Sequence, residues 1–92
     1  MPVRPKLSAI DVAHAYARCA GLSTKWPIDI LIETVSPRAA RRAIIQAVCR
    51  GEIEHSGDPE RGWLTAKGIA LLDSETQAEY RAAILRKARI IP

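Results

Sequence analysis

Four apolar residues, Ile28, Leu31, Ile32 and Val35, recur at i, i+3, i+4 and i+7, the spacing of one face of an α-helix. Asp29 and Glu33 take the opposite side, Pro27 suits the first helical position, and the helix must stop before Pro37. Upstream, Ser8-Ala9-Ile10-Asp11 reads as a capping box opening a helix from Ala9 to Ala20. Ile10, Ala13, Tyr16, Ala17 and Ala20 fall on one side of it, and Gly21 supplies the stop. Ser36-Pro37 then restarts the chain with preferred N-cap and N1 residues, predicting a third helix from Pro37 to Arg50 closed by Gly51. In that helix Ala40, Ile44, Ala47 and Val48 cluster inward; Arg38, Arg42, Gln46 and Cys49 form the opposite stripe, with Arg41 and Arg50 on the flanks.

After Gly51 the period changes. E-I-E-H-S, then G-D-P-E-R-G, then W-L-T read as two short strands around a turn, with Ile53 and Leu64 inward and Trp63 on the opposite face. Thr65 can cap a last helical region in which Ile69 and Leu72 pack and Tyr80, Ile84, Ala88 and Ile91 continue an apolar side. Asp73-Ser74 either interrupts that region or lies within it, because S-E-T-Q-A-E also resembles a fresh helix start. Pro2 and Pro5 mark residues 1–7 as an extended arm, and residues 8–92 form one domain. The expected fold is mostly α with a small β-hairpin, in the order helix-helix-helix-strand-strand-helix. The sharp bend between the second and third helices suggests a helix-turn-helix.

The stretch Ala43 to Leu72, A-I-I-Q-A-V-C-R-G-E-I-E-H-S-G-D-P-E-R-G-W-L-T-A-K-G-I-A-L-L, resembles the recognition-helix-to-wing segment of MarR-type winged helix-turn-helix regulators. The residues that carry the resemblance are Arg50-Gly51, Ile53-Glu54, Asp58 and Arg61, and Leu64-Thr65-x-x-Gly68-x-x-Leu71-Leu72. It implies a winged helix over about residues 36–72, with the third helix as DNA reader. The chain departs from the family in its short length and its abbreviated, acidic wing.

Composition narrows the classes. At 92 residues and 48% hydrophobic, with no Phe, two Trp and two Tyr, the chain supports one Ala-rich helical core. No run reaches the ~18–20 apolar residues needed to cross a bilayer, and the N-terminal stretch lacks the apolar h-region of a signal peptide. Cys19 and Cys49 lie too far apart for a redox pair, so reduced thiols and a cytoplasmic location are expected. His14, Cys19, Cys49 and His55 lack the tight pairs of zinc modules, which argues for small apolar fillers and edge histidines instead of a metal site. No P-loop, nucleophile elbow or H-E-x-x-H is present, so neither catalysis nor a cofactor is expected.

The net charge of +4 is the remainder of an uneven distribution. Residues 36–50 hold four arginines and no acid, residues 51–80 hold seven acids against Arg61 and Lys67, and Arg81, Arg86, Lys87 and Arg89 close the chain. Arg pairs with guanine and Gln with adenine in the major groove, so Arg38, Arg42 and Gln46 are the candidate base readers. Ser36, Arg41 and Arg61 are the candidate phosphate contacts. Four carboxylates, Glu52, Glu54, Asp58 and Glu60, repel a phosphate backbone: either the wing tilts away, with Arg61 alone near DNA, or the partner is not DNA. Trp26, ahead of Pro27, is expected to staple the helix start into the core. Two functions therefore stand. One is a small prokaryotic or phage DNA-binding transcriptional regulator, acting on double-stranded DNA as a homodimer through the C-terminal helix. The other is a non-catalytic protein-binding winged helix, such as a phage-encoded inhibitor of the anti-CRISPR kind or a subunit of a nucleic-acid machine. In that case Glu52, Glu54, Glu60 and Trp63 form the contact.

Overall fold

The computed structural model describes residues 7–21 and 26–90, with side chains described as far as Arg86. The arm expected over residues 1–7 and the segment 22–25 lie outside the described residues, Leu7 excepted. Ser8 and Asp11 cap each other at the start of α1 (Ala9–Gly21): the Ser8 N–H donates to Asp11 Oδ2 at 2.8 Å and the Asp11 N–H to Ser8 Oγ at 3.2 Å. The helix buries Val12, Ala13, Ala15, Tyr16 and Ala17. Ile10, expected inward, is 50% exposed, because it falls at the edge of the arc that those five residues define.

Helix α2 (Pro27–Leu31) is shorter than its apolar stripe. Beyond Leu31 the hydrogen bonds tighten to i→i+3, from Glu33 N–H to the Ile30 carbonyl and from Thr34 N–H to the Leu31 carbonyl. The inward arc of α2 centres on the buried Pro27 and Leu31, with Ile28 and Ile30 half-buried beside them, so Ile32 falls at its edge and is 41% exposed. Helix α3 (Pro37–Cys49) starts on Ser36, whose Oγ accepts the Ala39 N–H at 3.2 Å. It ends in a Schellman motif: Gly51 takes φ +78°, its N–H reaches the Val48 carbonyl, and the Glu52 N–H reaches the Ala47 carbonyl.

Strands β1 (Ile53–Glu54) and β2 (Trp63–Leu64) pair antiparallel, with Ile53 opposite Leu64 and Glu54 opposite Trp63. Ile53 and Leu64 point into the core, as their alternation requires. A 3₁₀ turn (Pro59–Arg61) joins the strands. The chain then forms one helical turn, α4 (Ala66–Ile69), capped by Thr65, and breaks at Asp73. Asp73 starts α5 (Ser74–Ile90): its Oδ2 accepts the Thr76 N–H at 3.0 Å and its Oδ1 accepts the Thr76 hydroxyl at 2.6 Å. The interruption left open at Asp73-Ser74 is therefore real. The described residues form a mostly helical domain with a two-strand hairpin.

One core unites these elements. Val12 and Tyr16 of α1, Leu31, Ala40 and Ile44 of α3, Ile53, Leu64, Leu72 and Tyr80 are all buried in it. Alanines at 13, 15, 17, 40, 43 and 47 keep the helix backbones close. Tyr16 and Tyr80 tie the hairpin to the helices. The Tyr16 hydroxyl donates to the Pro59 carbonyl at 2.6 Å, and the Tyr80 oxygen accepts the Leu64 N–H at 2.9 Å.

Candidate nucleic-acid interface

Helix α3 turns Ala40, Ala43, Ile44 and Ala47 to the core and leaves Arg38, Arg41, Arg42, Ile45, Gln46 and Cys49 exposed. The expected outward stripe of Arg38, Arg42, Gln46 and Cys49 is thus on the surface. Among the described residues, the side chains of Arg38, Arg42 and Gln46 make no hydrogen bond or ion pair, which leaves their donors for an external acceptor. The helix start offers less than expected. Pro37 has no N–H, and Ser36 accepts the Ala39 N–H through its hydroxyl and the Ala40 N–H through its carbonyl. Only the Arg38 N–H of the first turn stays available.

The two other phosphate candidates are engaged within the chain. Arg41 Nε lies 3.7 Å from Glu60 Oε1 across the groove between α3 and the 3₁₀ turn. The Arg61 guanidinium sits 4.9 Å from the centroid of the Trp26 ring. That contact corrects the placement of Trp26: the indole is 47% exposed, stacked under an arginine, and not a core staple. Burial, then the Glu60 and Asp58 carboxylates, push the Tyr16 phenol far above its ordinary range, so it remains a donor to Pro59.

The acidic segment is also less exposed than its sequence implies. Glu52 is 6% exposed and clasped by Arg50, whose Nε reaches both carboxylate oxygens at 3.0 Å and whose Nη2 reaches Oε1 at 2.9 Å. Hydrogen bonding to Glu52 raises the Arg50 pKa above its ordinary value. Lys67 Nζ donates to the Arg50 carbonyl at 2.8 Å, fixing the same corner to α4. Glu60 is half-buried beside Arg41, and Asp58 Oδ1 caps the 3₁₀ turn through the Glu60 N–H at 2.9 Å. Of the four carboxylates, Glu54 and Asp58 remain outward-facing, while Glu52 is unavailable to either a phosphate or a protein.

Trp63, 43% exposed, faces elsewhere. With Ile69, Arg81, Ile84 and Leu85 it lines an apolar groove of about 400 Å³ between β2, α4 and α5. Among the described residues no three His, Cys, Asp or Glu side chains approach closely enough to hold a metal ion. His14 Nε2 stands 3.9 Å from Asp73 Oδ1, and His55 Nδ1 lies 2.9 Å from the Gly57 carbonyl.

No family model, no curated protein and no solved structure matches this chain. Sequence reasoning passed over two features of the surface. Ile45 is 50% exposed in the middle of the arginine face, and Leu85, 61% exposed, emerges beside Trp63 together with Ile84, which was expected on the apolar side with Tyr80 but is 39% exposed. The first was detectable, since at 100° per residue Ile45 falls between Arg41 and Arg38. The second was not, because it depends on where α5 leaves the core.

Proposed function

We propose that this protein is a winged-helix DNA-binding protein, a transcriptional regulator of prokaryotic or phage type working in the cytoplasm, with α2 and α3 as its helix-turn-helix. The observation that carries this reading is the outward face of α3, where Arg38, Arg42 and Gln46 have no internal partner among the described residues. A helix of 13 residues with such a face suits the major groove, where Arg reads guanine and Gln reads adenine. Burial of Glu52 under Arg50 takes one of the four hairpin carboxylates out of reach of phosphates and so reduces the repulsion that the acidic hairpin would exert on them. Ser36, Arg41 and Arg61 flank the reading face as the phosphate contacts; Arg41 and Arg61 would first leave Glu60 and Trp26. A second copy bound through α5 would present a second reading helix to a palindromic half-site.

The test is fluorescence anisotropy with a random-sequence duplex pool, and with duplexes selected from it, at two salt concentrations. Selective binding that weakens with salt, with a log–log slope of about −3 for three or four neutralised phosphates, supports the reading. Arg42→Ala then costs about 1–3 kcal/mol on a selected duplex and relaxes its base preference. Unaltered affinity in that variant argues against the assignment.

A second reading, a protein-binding winged helix, is favoured by the groove that Trp63 shares with Ile84 and Leu85. Within it, Glu54 and Trp63 carry the contact together with Glu60, and Glu52 acts only through Arg50. Weak, unselective duplex binding is its signature.

A further inference from the structure

Within the DNA-binding reading, on which this inference rests, we propose that Ile45 determines specificity by contacting the 5-methyl group of thymine. Ile45 is 50% exposed although its neighbour Ile44 is 1% exposed, so the helix spends a large aliphatic side chain on its outer face. Its position there is central. Taking Arg38 as origin, Ile45 lies about 20° to one side and Cys49 about 20° to the other, with Arg42 about 40° and Gln46 about 80° round. Arg41 lies about 60° round on the same side as Ile45, so any object that spans Arg38 and Arg41 covers Ile45.

A solvated phosphate backbone offers an isoleucine nothing and would leave its apolar surface in water. Among the base edges of the major groove, only thymine presents an apolar group; the others present donors and acceptors that an aliphatic chain leaves unpaired. Ile45 next to guanidinium groups thus favours thymine at its step and penalises cytosine, whose amino group loses its water there. One flank of Ile45 borders a groove of about 320 Å³ shared with Arg41, Asp58, Pro59 and Glu60. Of the two carboxylates that line this groove, Glu60 lies 3.7 Å from Arg41. Asp58 is occupied with the 3₁₀ turn.

The experiment begins with duplexes selected by the full chain from a random pool. Each thymine is then replaced singly by uracil, which removes the methyl group and keeps every hydrogen-bonding atom. The expected result is one thymine whose replacement weakens binding about fourfold, the value of one buried methyl group. Ile45→Ala should lose that sensitivity, binding the thymine and uracil duplexes equally. Circular dichroism should show the variant folded like the parent, since the side chain is half in water. Equal sensitivity in parent and Ile45→Ala, or none in the parent, overturns the role of Ile45 while leaving DNA binding intact. Failure to select any duplex overturns the DNA-binding reading and this inference with it.

Discussion

Arg50 and Glu52 show how a residue's role depends on geometry that no local pattern encodes. Both count as surface charges by position, one ending a basic helix and one opening an acidic strand. The Schellman turn at Gly51 reverses the chain between them, so Glu52 turns inward at 6% exposure and Arg50 closes over it with a bidentate contact. Removing the guanidinium would leave a nearly buried carboxylate without its cation. Because Arg50 itself stands partly in water, the cost is well below that of a fully enclosed pair: Arg50→Ala is expected to destabilise the domain by about 1–2 kcal/mol in urea denaturation. Unchanged stability would mean that Glu52 finds water or another donor. Trp26 teaches the same lesson. An aromatic before a helix-starting proline suggests a core staple, yet its ring is occupied by Arg61 from the turn that follows β1, 35 positions along the chain.

The elements themselves were largely legible. Ser8, Ser36 and Thr65 each cap the helix their position announces, and Gly51 ends α3 in the left-handed region that favours glycine. The pairing of Ile53 with Leu64 follows from alternation around a proline-containing turn. What resisted reading was phase and continuity: the buried arc of α2 centres on Pro27 and Leu31 and leaves Ile32 at its edge, and the last helical region divides at Asp73. The first depends on tertiary packing, and the second joins the local Asp73–Thr76 cap to the packing of α4. Gly68 illustrates the constraint there, since a Cβ at that position would run into the Glu52 backbone carbonyl. The division at Asp73 carries its own pH dependence. Hydrogen bonds from Thr76, and after them the His14 ring, hold the Asp73 carboxyl below its ordinary range. A carboxyl with a depressed folded-state pKa contributes stability that is present above its unfolded pKa of ~3.9 and lost as pH falls through the folded value. Thermal melts of the parent should therefore weaken on acidification below about pH 4 more steeply than those of Asp73→Asn, which keeps a capping oxygen without the titration. Parallel acid limbs in the two proteins would contradict this role.

For the whole molecule, the division of charge matters more than its total. Arg41 and Arg61 bind the hairpin turn to the helices, Arg50 holds Glu52, and Arg38 and Arg42 are left facing out with Gln46 and Ile45. The basic face of α3 was evident in the sequence from its spacing alone. Its reduction to a smaller group was not, because each internal partner comes from a distant segment. Cys49 stands at the end of this face and Cys19 lies half-buried on α1, so the chain carries one thiol inside the proposed contact and one elsewhere. The most direct measurement is the rate of iodoacetamide alkylation of each cysteine, followed by mass spectrometry, with and without saturating selected duplex at low salt. A duplex lying on α3 slows modification of Cys49 severalfold, leaves Cys19 unchanged, and loses its protection as salt is raised. An equal rate at Cys49 with and without bound duplex would contradict the assignment of α3 as the DNA-reading helix.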